Sequence, residues 1–354
     1  MATLVASLRV RSPIRVLVVD DSVVVRKIVS DSLKDDPQIE VVGTASNGSI
    51  ALQRIRHFRP DVVTLDIEMP EMDGLETLRR IRKDFPEVHV IMLSSLTERG
   101  AAVTIEALAS GAKDYLTKPS QGASQEIVLR NLKQDLLLKV KQFFVEEPLE
   151  SRTCSKSGAP RSLFNGPLQA WLIGVSTGGP NALSSILPMI PASFPLPILI
   201  VQHMPPMFTK LLAERLQSMT ALRVCEASDG QLVEPGQVLI APGDFHMKLR
   251  KSGRSVLTEL TRTPPENSCR PAVDVLFRSA AEVWGGSVIA TILTGMGQDG
   301  LRGAETLYTQ GAYVIAQDEQ SSVVWGMPGY IARAGLADAV LPLTEIVPAV
   351  LKKI

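Results

Sequence analysis

The sequence is short of the residues that staple small scaffolds. Three cysteines, Cys154, Cys225 and Cys269, are spread over 354 residues and never form a CxxC pair. Neither a zinc knuckle nor a disulfide framework is expected, and a reducing cytoplasm fits this usage. Excess charge of one sign is missing too, since 37 Lys+Arg balance 37 Asp+Glu. Without a basic excess, nucleic acid and anionic membranes are not expected partners. No apolar run approaches the roughly 20 residues of a membrane span, so no membrane insertion is expected. The opening MATLVASLRVRSP lacks the basic start of a signal peptide and reads as a loose tail, residues 1–13. Histidine is scarce as well: His57, His89, His203 and His246 are the four available.

What is present is globular composition, 45% hydrophobic with 21% charged residues, over a length that predicts two domains. IRVLVVDD (14–21), EVVGTAS (40–46), DVVTLD (61–66), VHVIMLSS (88–95) and KDYLTK (113–118) read as strands separated by helical segments. Continuous apolar runs imply burial on both faces, hence a parallel sheet covered by helices. The spacing predicts a flavodoxin-like α/β domain over 14–135. A final amphipathic helix is expected from about Gln125 to Phe144. The interdomain linker is placed at 136–165, around the polar EEPLESRTCSKSGAPRS (146–162). Over 166–354, LQAWLIGVS (168–176), LPILIVQHM (196–204), QVLIAP (237–242), SVIATILTGMG (287–297) and AYVIAQD (312–318) predict a second α/β domain, doubly wound and mostly parallel. HMKLRKSGRSVLTEL (246–260) predicts a hairpin around Ser252-Gly253.

In the first domain, acids sit where strands end: Asp20 and Asp21 after the first strand, Asp66 after the third. The carboxyl ends of parallel strands share one edge, so these groups converge. Packed carboxylates repel, and a hard cation with oxygen ligands such as Mg²⁺ relieves them. Lys118 ends the fifth strand and Ser94 the fourth. Acids, one lysine and one hydroxyl suit phosphoryl transfer onto a carboxylate. The alternative is that each acid is a helix N-cap. VLVVDDS, LDIEMPEMDG, the SS after the fourth strand and YLTKP resemble the receiver domain of response regulators, over about residues 14–135. The resemblance implies that Asp66 accepts a phosphoryl group from a histidine kinase. It further implies that Asp20 and Asp21 hold Mg²⁺ with the Glu68 carbonyl, and that Lys118 and Ser94 contact the phosphoryl oxygens. Tyr115 would be the aromatic switch; a core tyrosine is the other reading. Asp73 is expected to cap the next helix.

In the second domain, WLIGVSTGGP (171–180) puts a hydroxyl, Ser176, where a buried strand ends, with small residues around it. A Walker loop needs a lysine that is absent here before Lys210, and a dinucleotide fingerprint needs Gly where Ser176 stands. A turn without chemistry remains open, with Gly178 and Gly179 bending the chain and Pro180 starting a helix. A base is at hand: His203 ends the strand LPILIVQHM, whereas His246 begins a hairpin. Asp299, in TILTGMGQDG, supplies an acid to orient an imidazole. Thr177 N–H is the natural first oxyanion donor, and the second is placed near Met296. The order Ser, His, Asp differs from the α/β-hydrolase order Ser, Asp/Glu, His, although GVSTG fits that family's elbow.

IGVSTGGP, VQHMPPMFTKLLAERL, APGDFHM, RPAVDVLFRSAA, ILTGMGQDG and VVWGMP resemble the catalytic domain of the chemotaxis protein-glutamate methylesterases, the CheB family, across nearly all of 168–354. The resemblance implies Ser176 as nucleophile, His203 as general base and Asp299 as orienting acid, with no cofactor for catalysis. It implies hydrolysis of γ-glutamyl methyl esters on chemoreceptors and deamidation of receptor glutamines. It also implies that the unphosphorylated receiver covers the catalytic edge. A DNA-binding output is disfavoured, because 166–354 carry 14 Lys+Arg against 15 Asp+Glu. An idle scaffold and a small-molecule serine esterase remain as alternatives.

Overall fold

The computed structural model describes residues 13–95, 97–118, 125–144 and 164–354. The expected tail up to residue 12 and the polar stretch 146–162 lie outside them. Two compact units result, one within Met1–Glu150 and one within Ser151–Ile354.

The first unit alternates β1 (Ile14–Val19), α1 (Val23–Lys34), β2 (Ile39–Ala45), α2 (Gly48–Phe58), β3 (Val62–Asp66), α3 (Gly74–Asp84), β4 (His89–Ser94), α4 (Glu98–Ala109), β5 (Asp114–Thr117) and α5 (Gln125–Lys141). Its sheet has the order β2-β1-β3-β4-β5, all parallel. Both faces of β1 are buried as its unbroken apolar run requires: Leu17 and Val19 are fully buried on one, and on the other Val16 and Val18 pack with Val29 and Leu33 of α1 and Leu136 and Val140 of α5. Short polar residues start the helices. Asn47, Asp73 and Thr97 accept from the Ile50, Glu76 and Gly100 amides, satisfying donors the first turn leaves free. Asp73 thus caps α3, as its sequence position predicts.

The expected boundary at residue 135 falls inside α5. Leu136 and Val140 are core residues. Lys139 Nζ is 2.7 Å from Asp114 Oδ2, and Lys141 Nζ is 2.5 Å from Asp36 Oδ2. This last stretch of α5 covers the sheet, so 136–144 belong to the first unit, not to a linker.

The second unit runs β6 (Ala170–Val175), α6 (Gly179–Ile186), β7 (Ile198–Gln202), α7 (Phe208–Gln217), β8 (Arg223–Glu226), β9 (Gln237–Ile240), β10 (His246–Ser252), β11 (Ser255–Thr261), α8 (Val273–Trp284), β12 (Val288–Ile292), α9 (Leu301–Thr309), β13 (Tyr313–Gln317), α10 (Met327–Arg333), β14 (Ala339–Leu341) and α11 (Leu343–Leu351). Seven parallel strands are ordered β14-β13-β12-β6-β7-β9-β8. β10 and β11 form the expected hairpin, with Ser252 opposite Ser255, so its tight turn is Gly253-Arg254, one residue on from the expected place. The chain winds outward from β6 in both directions, toward β7 and toward β12. Loops leaving β6 and its neighbours at their carboxyl ends diverge there and open a crevice. One face of the sheet packs on α8, α9 and α10 through Leu276, Phe277, Ala304, Leu307 and Met327. Trp171 is fully buried, and its ring N–H donates to Thr291 Oγ1 at 2.8 Å. Among the described residues no helix is long and apolar enough to cross a membrane.

Candidate active site

Two groups of polar side chains lie at strand carboxyl ends, one per unit. In the first unit the oxygens of Asp20, Asp21 and Asp66 lie within 4.8 Å of one another, at the point where the chain reverses between β1 and β3. Asp20 and Asp66 are buried and Asp21 is exposed. Lys118 Nζ stands 2.8 Å from Asp20 Oδ2 and 2.7 Å from Asp66 Oδ1. Burial pushes the Asp66 carboxyl up to about 6, the Lys118 hydrogen bond opposes this, and the Asp20 charge adds to it. Burial alone would lower Lys118, but hydrogen bonds to Asp20 and Asp66 outweigh it and raise the amine. Asp20 Oδ2 is buried, with the Lys118 ammonium against it. One ammonium against three carboxylates leaves negative charge uncompensated, and the carboxylates are a donor set that suits a hard divalent cation such as Mg²⁺. The Glu68 side chain is exposed, so the atom its proposed role invokes is its backbone carbonyl.

The Ser94 hydroxyl is fully buried and accepts from Thr104 Oγ1 at 2.6 Å, with the Gly100 carbonyl 3.3 Å away. These partners are on α4, because a buried hydroxyl must find a partner and Thr104 supplies one. Tyr115 is half-buried, and burial together with the Asp114 charge pushes its phenol up. The Lys139 ammonium lies 5.6 Å from its ring centroid.

In the second unit, Ser176, His203 and Asp299 follow β6, β7 and β12. Val175 and Gln202 are register partners, so Ser176 and His203 leave adjacent strands side by side. The backbone of Ser176 is pinned on both sides. Its N–H donates to the Thr294 carbonyl at 3.0 Å, and its carbonyl accepts from Gly179 N at 2.8 Å and Gln202 Nε2 at 3.0 Å. Gly178 has φ 81°, a left-handed turn into α6 that Pro180 then pre-forms. At Gly295 a side chain would lie 2.7 Å from Ser176 Cβ, so only glycine leaves the serine room.

His203 Nε2 is 2.8 Å from Asp299 Oδ2. Burial disfavours a charged imidazole, but the Cys269 sulfur and the Asp299 carboxylate outweigh it and hold His203 above its usual value. Asp299 is lowered: burial opposes ionisation, while His203 and the Val273 and Asp274 amides at the start of α8 favour it. The other ring nitrogen, His203 Nδ1, is 3.5 Å from Cys269 Sγ. Among the described residues no hydrogen bond joins Ser176 to His203; in a free enzyme such contacts are often open and tighten around substrate. Thr177 follows Ser176 and accepts from Thr294 Oγ1 at 2.9 Å through its carbonyl. Met296 is half-buried in the loop before Asp299. His246 is fully buried, its Nδ1 accepting from Ala272 N and its Nε2 facing the Pro264 carbonyl, both at 3.2 Å. That is a neutral ring serving packing. Sequence reading missed Gln202, Asn267, Cys269 and Asp274, none of which follows a strand at an exposed edge.

A five-stranded sheet of order 2-1-3-4-5 with an acidic switch point defines a response-regulator receiver, and the second unit is a parallel α/β enzyme domain. A family described as response regulator receiver domain matches residues 16–129, and one described as CheB methylesterase matches 171–350. A protein-glutamate methylesterase/protein-glutamine glutaminase of Trichodesmium erythraeum is 47% identical, covering 96% of this chain and 99% of that protein. One of a Nocardioides species is 48% identical, over 96% and 95%. The crystal structure of the Thermotoga maritima CheB methylesterase catalytic domain aligns with TM-score 0.52 and 46% identity, covering 53% of this chain and all of that one. The chain belongs to the CheB family of chemotaxis response regulators, enzymes of the protein-glutamate methylesterase/protein-glutamine glutaminase class.

Proposed function

We propose that this chain removes methyl groups from glutamate γ-methyl esters of chemoreceptors, and ammonia from receptor glutamines, through Ser176, His203 and Asp299. The observation that carries this is the His203–Asp299 pair at 2.8 Å, from the two strands that flank β6, which Ser176 follows. Asp299 holds Nε2, which leaves Nδ1 as the basic nitrogen. Ser176 Oγ adds to the ester carbonyl carbon as its proton passes to His203. The tetrahedral oxyanion is met by the Thr177 and Met296 amides and by the start of α6. When the C–O bond to the methoxy group breaks, His203 returns the proton and methanol leaves. Water then adds to the acyl-serine with the same base, freeing glutamate. An amide follows the same path and releases ammonia, because both reactions share one tetrahedral geometry.

The receiver regulates this activity. Asp66 accepts a phosphoryl group from a chemotaxis histidine kinase, Lys118 balances the added charge, and Ser94 and Tyr115 respond to it. Asp20, Asp21, Asp66 and the Glu68 carbonyl would hold Mg²⁺, which when bound supplies charge compensation at the phosphoacceptor. Incubating the protein with methyl-labelled receptor, with and without a phosphodonor, tests the reading: methanol release that rises with the donor supports it, and no release contradicts it.

A further inference from the structure

One short loop touches both members of the His203–Asp299 pair. Asn267 and Ser268 have φ 51° and 64°, a left-handed conformation that asparagine tolerates. Backbone bonds between Glu266 and Cys269 close the loop. It places Cys269 Sγ against His203 Nδ1 and Asn267 Nδ2 between two buried carboxylates. That nitrogen is 2.9 Å from Asp299 Oδ1 and 3.0 Å from Asp274 Oδ2. Asp299 is 2% exposed and Asp274 1%, so neither can turn to solvent for a donor. Like charges so close repel, and the primary amide has two hydrogens, one for each.

The remaining contacts show what the amide decides. Asp299 Oδ1 also accepts from Asp274 N at 3.1 Å and Gly300 N at 3.0 Å, while Oδ2 accepts from Val273 N at 2.6 Å and faces His203. Oδ1 is therefore the anchored oxygen and Oδ2 the one presented to the imidazole. Asn267 joins the Asp274 and Gly300 amides in anchoring Oδ1, and its bridge to Asp274 Oδ2 lets the two carboxylates sit side by side.

Resting on the proposed roles of Ser176, His203 and Asp299, we infer that Asn267 is a positioning residue for the hydrolysis. Its amide holds Asp299 charged and turned so that Oδ2 meets His203 Nε2, with a second carboxylate tolerated alongside. It touches neither substrate nor the reacting atoms. Two substitutions distinguish this role from a purely structural one, which would rank them the other way. Asn267→Asp keeps size and left-handed tolerance but puts a third carboxylate between two others. Asn267→Gly keeps the backbone and removes the bridge.

The test is kcat and KM for methyl-labelled receptor with the full-length chain and phosphodonor, each variant checked for folding by circular dichroism and gel filtration. Ser176→Ala runs alongside. Both variants are expected to lose about 10- to 100-fold in kcat, the scale of one charge-assisted hydrogen bond, with KM within about twofold and Asp worse than Gly. If both fold and keep the parent kcat, or if only KM moves, while Ser176→Ala is inactive, the role of Asn267 is overturned and the serine mechanism stands. If Asp destabilises the fold, Gly alone decides by the same criterion. If Ser176→Ala is active, the underlying reading fails and this inference with it.

Discussion

His203 Nε2 and Asp299 Oδ2 lie 2.8 Å apart, although the two residues follow strands that are not neighbours. β7 and β12 flank β6, and Ser176 follows β6. The pair therefore spans the serine. Three successive strand ends at a switch point are a place where chemistry can be assembled from distant segments. Removing the carboxylate should leave the fold and cost turnover. Asp299→Asn is expected to lower kcat for ester hydrolysis on the order of 10³-fold or more, because the imidazolium loses its partner and the tautomer its anchor. Receptor affinity should change little. Steady-state methanol release by the purified variant checks both.

Phosphoacceptance should depend on Asp66 and not on Asp73. Asp66 sits among Asp20, Asp21 and Lys118, whereas Asp73 is spent capping α3 through the Glu76 amide. Asp66→Asn is expected to abolish labelling by a small phosphodonor in Mg²⁺. Asp73→Asn should label normally, since Asn caps as well as Asp. Equal labelling of both would remove Asp66 from its role.

Acid should weaken the first unit through His89. Its ring stacks on Phe143 at 4.6 Å, and its Nδ1 is buried without a partner. Burial, then the charges of Lys113 and Arg82, lower it to about 4. A histidine held neutral in the fold binds its proton more readily when unfolded, so stability is present above the unfolded value near 6.5 and lost as pH falls toward 4. The loss is on the order of 1–3 kcal/mol after discounting for partial exposure. His89→Phe keeps the stack and should flatten urea stability between pH 6.5 and 4; an unchanged slope would assign the acid sensitivity elsewhere.

Control by the receiver should be visible by subtraction. If the unphosphorylated receiver restrains the enzyme half, residues 166–354 alone should hydrolyse receptor ester faster than the unphosphorylated full chain. Phosphodonor should raise the full chain only when Asp66 is present, by about 5- to 150-fold. Equal rates for fragment and full chain would leave recruitment or direct activation instead of occlusion.

Much of this was legible in sequence because buried parallel strands are written as continuous apolar runs. Trp171 to Val175 and Ile198 to Gln202 announce themselves, and with them the positions of Ser176 and His203. β8 and β14 did not, because edge strands of four and three residues carry no such run. The boundary at 135 falls short of the polar stretch at 146 and cuts a helix whose pattern runs to Phe144, and α5 continues for as long as Leu136 and Val140 have a sheet to cover. Asp299 was found by its place after a strand. Asn267 and Cys269 lie in a turn whose approach to the site depends on left-handed backbone at 267 and 268, which nothing in the residue pattern specifies. The direction of the Ser94 hydroxyl was equally hidden, since it is set by Thr104 ten residues on.

Ser176 is the proposed nucleophile. Ser176 makes no side-chain capping bond among the described residues, so Ser176→Ala should fold as the parent does, with an unchanged melting curve. Methanol release from methyl-labelled receptor, in the presence of phosphodonor, is the direct measurement. It should fall by several orders of magnitude, to what binding and the oxyanion site alone provide. Release at the parent rate from folded Ser176→Ala would contradict the mechanism.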